Sequence, residues 1–172
     1  TAQVSIDGSC IEFANKSTLT IAGQAGQDQI LLNNATNPTT AAGGALTTIT
    51  VNGGAAFDQL TVTDVDGMAS IEVTATQVLM AQPVPITYAA IESLVIDGVQ
   101  GDSTVNHTLQ QTLTAAAGTT ILAPATALDG GLITSDALIP LTYRNLDTGG
   151  LVHIDNTAGA GSTTDRFIVR SG

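Results

Sequence analysis

The chain has 172 residues, of which 43% are hydrophobic and only 3% aromatic, and its formal net charge at pH 7 is -11. This length allows one domain with a buried core, and the hydrophobic fraction argues against intrinsic disorder. Because only four residues are basic, the surface repels nucleic-acid phosphates and anionic lipids, and we expect neither as a partner.

Three further features bear on the compartment in which the protein works. No stretch is long and apolar enough to predict membrane insertion. Cys10 is the only cysteine, so an internal disulfide is impossible; a small core residue is predicted, and an intermolecular bridge is the alternative. The sequence begins TAQVSIDG without methionine, which fits a processed, exported protein and equally a trimmed chain.

The first predicted elements lie at residues 19–32, LTIAGQAGQDQILL, and recur at residues 49–62, ITVNGGAAFDQLTV. Aliphatic residues at spacing two lie on one face of a strand. Glycine permits positive φ at the bend between the strands, and the aspartate after it can accept hydrogen bonds from turn amides. Each copy therefore predicts strand, elbow and strand. The members are Leu19, Ile21, Gly23, Gly26, Asp28, Ile30 and Leu32, then Ile49, Val51, Gly53, Ala56, Asp58, Leu60 and Val62.

Later segments repeat the pattern less closely. Residues 69–80, ASIEVTATQVLM, keep the strand-like spacing and are predicted to form a coil that has lost its elbow. A second element, ITYAAIESLVID at residues 86–97, resembles LTYRNLDTGGLVHID at residues 141–155. It places Tyr88 and Tyr143 at matching positions, which predicts packing roles. The third and fourth copies are Leu94, Ile96, Gly98, Gly101, Ser103 and Val105, then Val152, Ile154, Asn156, Gly159, Asp165, Phe167 and Val169.

The repeats predict the fold class. One unit cannot bury its apolar face alone, whereas stacked units can. The aliphatic, aromatic-poor composition suits a parallel β-helix, in which like side chains stack on like. We therefore predict an all-β protein in which residues 1–172 form a single parallel β-helix (β-solenoid) domain. Because the copies are unevenly spaced, an antiparallel β-sandwich is the alternative.

The elbows also carry a resemblance to a known family. GQAGQDQIL at residues 23–31 and GGAAFDQLT at residues 53–61 resemble degenerate forms of the nonapeptide of calcium-binding RTX proteins. Residues 86–106 resemble segments of large secreted bacterial surface proteins with β-helical repeats. This resemblance implies export, a β-solenoid and an adhesive or structural role.

Departures from the RTX pattern argue against a calcium site. Gln24 and Ala56 stand where the nonapeptide has glycine, and Ser103 stands where it has aspartate. The copies are also not in tandem, so Asp28 and Asp58 are predicted to cap turns rather than to bind a metal ion. We predict no metal-binding residue.

No catalytic pattern emerges from the remaining polar residues. DVDG at residues 64–67 is predicted to be a solvated turn, since it lacks the downstream acid of a calcium loop. His107 and His153 are far apart in the sequence, and both are predicted to be surface residues. Nucleophile-elbow, zinc-protease and phosphate-loop motifs are absent. We predict no enzyme activity, no catalytic residue and no cofactor.

Threonine pairs and glycosylation motifs have structural and functional interpretations. A flat Thr-x-Thr face can bind ice, but these pairs lack a constant period, which argues against one flat array; threonine also simply suits exposed strands. Three Asn-x-Ser/Thr motifs, at residues 15–17, 34–36 and 106–108, match the N-glycosylation pattern at a frequency expected by chance. The threonine pairs considered for ice binding are Thr18/Thr20, Thr48/Thr50, Thr61/Thr63, Thr74/Thr76 and Thr112/Thr114.

The architecture suggests a structural function. Both ends of the sequence resemble strands, and only residues 108–118 have some helical character, so no capping helix is predicted. We expect an extracellular or cell-surface structural protein that self-assembles into a filament or surface layer, by end-to-end stacking or strand donation. An adhesin-type binding module of a larger protein, with other cell-surface components as partners, is the alternative.

Overall fold

The protein is all-β, as the sequence predicts. The computed structural model describes residues 2–6, 9–13, 16–33, 46–63, 70–80, 84–98, 107–113, 118–125, 129–136, 138–146, 150–155 and 166–170. Within these ranges there is no helix, and hence none that could cross a membrane. The strands are β1 (Ala2–Ile6), β2 (Ser9–Phe13), β3 (Thr18–Ala22), β4 (Gln29–Asn33), β5 (Thr48–Asn52), β6 (Gln59–Thr63), β7 (Ser70–Val73), β8 (Gln77–Met80), β9 (Ile86–Ala89), β10 (Ser93–Asp97), β11 (Thr108–Thr112), β12 (Thr119–Pro124), β13 (Gly131–Ser135), β14 (Leu138–Arg144), β15 (Leu151–Asp155) and β16 (Arg166–Val169).

The strands form two sheets, both of them mixed. Sheet A has the order β16-β12-β13-β14-β10-β6-β4-β1-β2, and sheet B has the order β15-β11-β7-β8-β9-β5-β3. Among the described strands, eight neighbouring pairs run parallel and six antiparallel. The purely antiparallel sandwich that was the alternative is therefore not the arrangement found.

The parallel pairs arise because the chain passes repeatedly from sheet B to sheet A. The crossings β3 to β4, β5 to β6 and β9 to β10 start on neighbouring strands of sheet B and end on neighbouring strands of sheet A. The two clear sequence copies lie side by side, with Leu19 opposite Ile49 and Ile30 opposite Leu60. Like residues thus stack on like, as the repeat predicts.

Antiparallel hairpins interrupt this winding. The prediction of a coil at residues 69–80 is wrong, because residues 70–80 form β7 and β8, which pair antiparallel within sheet B and do not cross to sheet A. Strands β12, β13 and β14 form a meander in sheet A, and the β1–β2 hairpin extends sheet A beyond β4. The helical character of residues 108–118 is misleading, because residues 108–112 form β11 between two parallel neighbours.

The two sheets share one aliphatic core. Alternate residues of the strands point inward, so that Val51 of sheet B and Leu60 and Leu94 of sheet A are fully buried in the same cluster. Burial of each such side chain contributes about 1.5–3 kcal/mol to the free energy of folding. Ile, Leu and Val therefore supply most of the core, as the low aromatic content predicts.

The third sequence copy is displaced from its predicted position. Leu94 lies opposite Leu60 in sheet A, so it belongs to the second strand of the unit and not to the first. Ile86 takes the first-strand position, opposite Ile49. The elbow between them has only residues 90–92, where the previous copy has residues 53–58, and it contains no glycine. Because this elbow is short and lacks glycine, the sequence pattern assigned Leu94 to the first strand of the unit instead of the second.

Tyr88 and Tyr143 are both buried but lie on different sheets. Tyr88 pairs opposite Val51 in sheet B, and Tyr143 pairs opposite Ile96 in sheet A. The similarity of their segments is local: Ala90 and Asn145, two residues after the tyrosines, have positive φ values of 49° and 58°. Both segments therefore turn a corner between the sheets, in opposite directions.

Tyr88 makes the fold sensitive to alkaline pH. Its hydroxyl donates a hydrogen bond to the Thr74 carbonyl oxygen at 2.6 Å, and burial raises the pKa of Tyr88 to about 12. The fold favours the neutral phenol, so this stabilisation is complete below the ordinary pKa of about 10 and is lost as the pH rises toward 12. We expect the free energy of unfolding, measured by urea titration, to fall across this interval.

Tyr88→Phe should remove part of that alkaline loss, while costing about 1 kcal/mol at neutral pH through the missing hydrogen bond. Burial also raises the pKa of Tyr143, so Tyr143→Phe is the matched control that leaves the Tyr88 contribution in place. Parallel stability–pH curves for the parent and Tyr88→Phe would contradict the assignment.

Candidate functional site

The elbows form a hydrogen-bonded column along one side of the two sheets. We call residues 23–28, 53–58 and 90–92 elbows 1, 2 and 3. The Gly23 amide donates to the Asn52 carbonyl at 2.9 Å, and the Gly53 amide donates to the Ala89 carbonyl at 3.1 Å. Elbows 1 and 2 are further joined by a parallel bridge between Ala25 and Ala55. The backbone hydrogen bonding between neighbouring strands of sheet B thus continues into the elbows.

The elbow backbone keeps its shape even where glycine is missing. Gln24 has a φ of 73° and its counterpart Gly54 has 108°, while Gly26 has 131° and its counterpart Ala56 has 103°. These are the substitutions by which the sequence departs from the RTX nonapeptide. Residues with side chains rarely adopt such φ values. The bonds from the Ala55 amide to the Gln24 carbonyl and from the Gly26 amide to the Ala55 carbonyl hold the two elbows against each other in this conformation.

The first glycine of each long elbow is required by close backbone contact. A Cβ atom on Gly23 would overlap the Gly53 carbonyl oxygen, and one on Gly53 would overlap the Ala90 carbonyl oxygen. Elbow 3 begins with Ala90, and the next strand of sheet B beyond β9 is the antiparallel β8. The first residue of an elbow can therefore carry a side chain only in elbow 3, where no further elbow packs against it.

Acidic side chains link each elbow to the next. The Asp28 amide donates to Asp58 Oδ1 at 2.8 Å, and the Asp58 amide donates to Glu92 Oε2 at 2.8 Å. Asp58 is fully buried and Asp28 nearly so. Asp58 therefore caps an amide, but both Asp58 and Glu92 accept from the neighbouring pass of the chain rather than from their own turn.

The elbow carboxylates do not converge on a metal position. Within the described ranges, no group of three or more His, Cys, Asp and Glu side chains could hold a metal ion. Asp58 and Glu92 each use an oxygen for a backbone amide, and successive acids lie on successive passes. DVDG at residues 64–67 lies outside the described residues.

The histidines occupy different environments. His107 is fully buried, so the prediction of a surface position is wrong for it. It shares the inward face of its segment with Leu109, Gln111 and Leu113, all at spacing two and all buried. That alternation was the signal for its burial. His153 is exposed, as expected, and lies on the outer face. The two histidines do not form a catalytic pair.

The structure brings some of the remaining predicted features together. Thr18 and Thr20 lie beside Thr48 and Thr50 on the outer face of sheet B, whereas Thr61 and Thr63 lie on the other sheet. Thr74 and Thr76 form the β7–β8 turn, and Thr112 lies in β11. Thr114, the three asparagines of the glycosylation motifs and the predicted burial of the Cys10 side chain fall outside what is described.

The two sheets terminate together at one end of the fold, which we call the β15/β16 end. There, no described strand pairs with the outer edge of β15 or β16. Leu151 and Val169 are 63% and 64% exposed, the highest values among the large aliphatic residues described. Arg166 and Arg170 are also exposed at this edge. The end therefore combines strand edges that have no partner strand among the described ones, apolar surface and positive charge.

The opposite end, which we call the β2/β3 end, is stepped. Sheet B terminates at β3, while the β1–β2 hairpin carries sheet A two strands further. β2 is the outermost strand of sheet A and includes Glu12. Following the pairings through each sheet, β2 runs in the same direction as β16, and β3 runs in the same direction as β15.

Comparisons with known proteins give no relative. Neither a family model, nor a curated protein, nor a solved structure matches the chain.

The strained alanine of elbow 2 makes a direct prediction about stability. Replacing Ala56, whose φ is 103°, with glycine should raise the free energy of unfolding by about 1 kcal/mol, because the left-handed strain is relieved. Ala55→Gly in the same elbow is the control, since Ala55 has no positive φ and should lose about 0.5–1 kcal/mol. Urea unfolding measures both; equal effects of the two substitutions would contradict this explanation.

The buried acid of elbow 2 makes a second prediction. Asp58→Ala should lower the free energy of unfolding by about 1–3 kcal/mol, because the buried Asp28 amide loses its acceptor. Asp58→Asn keeps a carbonyl oxygen in the same position and should lose less. Thermal or urea unfolding of the two variants measures the difference. A loss for Asp58→Asn as large as that for Asp58→Ala would show that the negative charge, and not the hydrogen bond, matters.

Proposed function

We propose that this is a secreted structural protein of β-solenoid architecture whose copies join end to end into an extracellular filament or surface layer. Three passes from sheet B to sheet A support the solenoid assignment, because they lie side by side in parallel and share one column of elbow hydrogen bonds. On this interpretation, the antiparallel hairpins are insertions between successive coils of the solenoid.

The direction of the terminal strands is the observation that carries the assembly proposal. Because β2 and β16 run the same way, a second copy placed along the stacking axis without inversion would add β2 to β16 as a parallel pair. Such a head-to-tail contact uses two different surfaces and does not close on itself, so it generates an open polymer. Because the β1–β2 hairpin extends sheet A further than sheet B at the β2/β3 end, sheet A would contact the neighbouring copy first.

Charge and burial favour a second copy as the occupant of this edge. The chain carries a net charge of -11, so most surfaces of two copies repel each other. The edge at β16 is different, because Arg166 and Arg170 are two of the four basic residues and the facing strand β2 includes Glu12. Pairing would also cover Val169, whose side chain continues the inward-facing row of Leu122 at the open end of the core.

Electron microscopy and sedimentation of the purified protein test the proposal. We expect polymers whose length grows with concentration. Val169→Glu should suppress them by burying a carboxylate in the apolar contact, and Arg166→Glu should do so by removing positive charge from this edge. Leu132→Glu, the same change in charge on the outer face of sheet A, is the matched control and should still assemble.

Monodisperse monomers of the parent at all salt and protein concentrations would overturn the assembly proposal. That result would favour the adhesin-type module, which is expected to remain monomeric when isolated. Equal loss of assembly in Leu132→Glu and Val169→Glu would show that net charge, rather than the β16 edge, controls association.

A further inference from the structure

The outer face of sheet B carries five threonines on three neighbouring strands. Thr18 pairs opposite Thr48, Thr20 opposite Thr50, and Thr50 opposite Thr87. Their inward-pointing neighbours Ile21, Ile49, Val51, Ile86 and Tyr88 are buried, so the threonines point to solvent. We call Thr18, Thr20, Thr48, Thr50 and Thr87 the threonine patch.

The patch is a two-dimensional array set by the sheet. Parallel strands lie about 4.8 Å apart, and residues two apart on one strand are separated by about 6.6 Å. In the described part of the chain, the hydroxyls of Thr18, Thr20, Thr48 and Thr50 bond to no protein group, and Thr87 accepts only from Gln77 Nε2 at 3.4 Å. The array therefore offers regularly spaced hydroxyl and methyl groups to water.

The array is held in place by the elbow column. The amides of Gly23 and Gly53 bond to the carbonyls that end β5 and β9, which fixes the register of β3, β5 and β9 next to the patch. A fixed register limits sliding of one threonine row past the next. The spacing is thus a property of the fold rather than of flexible side chains.

The patch is uncharged in a strongly acidic protein. Its five members and the next outward residues, Ala22, Asn52 and Ala89, carry no charge, although the net charge is -11. A charged group holds its own hydration shell, whereas hydroxyl and methyl groups can share an ordered water lattice. The uncharged array is therefore suited to a neutral, hydrogen-bonding crystal surface.

We propose that the threonine patch binds ice. Strand spacing in one direction and side-chain alternation in the other give repeats comparable to those between water oxygens on ice crystal faces. Threonine methyls order the water between the rows, and the hydroxyls join that water by hydrogen bonds. The occupant is ice itself, and the activity does not depend on the filament proposed above.

The test is ice recrystallisation in frozen sucrose solution, together with ice-crystal shape in a nanolitre osmometer. The parent protein should slow recrystallisation and facet growing crystals. Thr50→Lys places a charge at the centre of the patch and should raise the protein concentration required by about tenfold. Thr20→Lys, at an exposed position on the edge strand, should act in the same direction.

Thr61→Lys is the matched control, because Thr61 is also a half-buried, outward-facing residue in the middle of its strand but lies on sheet A. It should match the parent, with circular dichroism confirming that all variants are folded. Failure of the parent to affect ice growth, or an equal effect of Thr61→Lys and Thr50→Lys, would overturn the proposal. Val169→Glu should retain ice binding while losing assembly, which separates the two proposals.

Discussion

The close packing of successive elbow backbones is the constraint on which the rest of the structure depends. Gly23 lies against the carbonyl of Gly53, and Gly53 lies against the carbonyl of Ala90, at distances that leave no room for a side chain. Each elbow joins the two sheets. These contacts therefore fix the register of β3, β5 and β9 in sheet B and of β4, β6 and β10 in sheet A. The aliphatic rows of the core follow from that register.

Acidic side chains complete the same column. A carboxylate removed from water is unfavourable unless hydrogen bonds compensate for the lost hydration. Asp58 meets this requirement through Oδ1 alone, which accepts from the Asp28 amide of the neighbouring pass, while the buried Oδ2 has no hydrogen-bond partner among the described residues. The half-buried Glu92 accepts from the Asp58 amide in the same way. Each acid therefore ties two passes together, so that the elbows support one another. The column ends where β8 enters sheet B and the strand directions become mixed.

The proposed functions use surfaces that the column leaves available. End-to-end assembly uses the edges of the sheets, where backbone groups have no partner among the described strands, whereas ice binding uses an outer face. These surfaces do not compete, because stacking along the sheet edges leaves outer faces open to solvent. The rigidity supplied by the elbows serves both, since a polymer needs a stiff subunit and a lattice-binding face needs fixed spacing.

The sequence by itself determined the all-β class, the inward aliphatic rows and the first two elbows, because alternation and glycine placement are local properties of the chain. It also indicated that Asp58 caps an amide, but not that this amide belongs to Asp28 of the neighbouring pass. Only the tertiary structure decided the hairpins, the short third elbow and the burial of His107, since these depend on which strands become neighbours. The threonine patch has the same origin: residues thirty apart in sequence share a row only after the strands have paired in register.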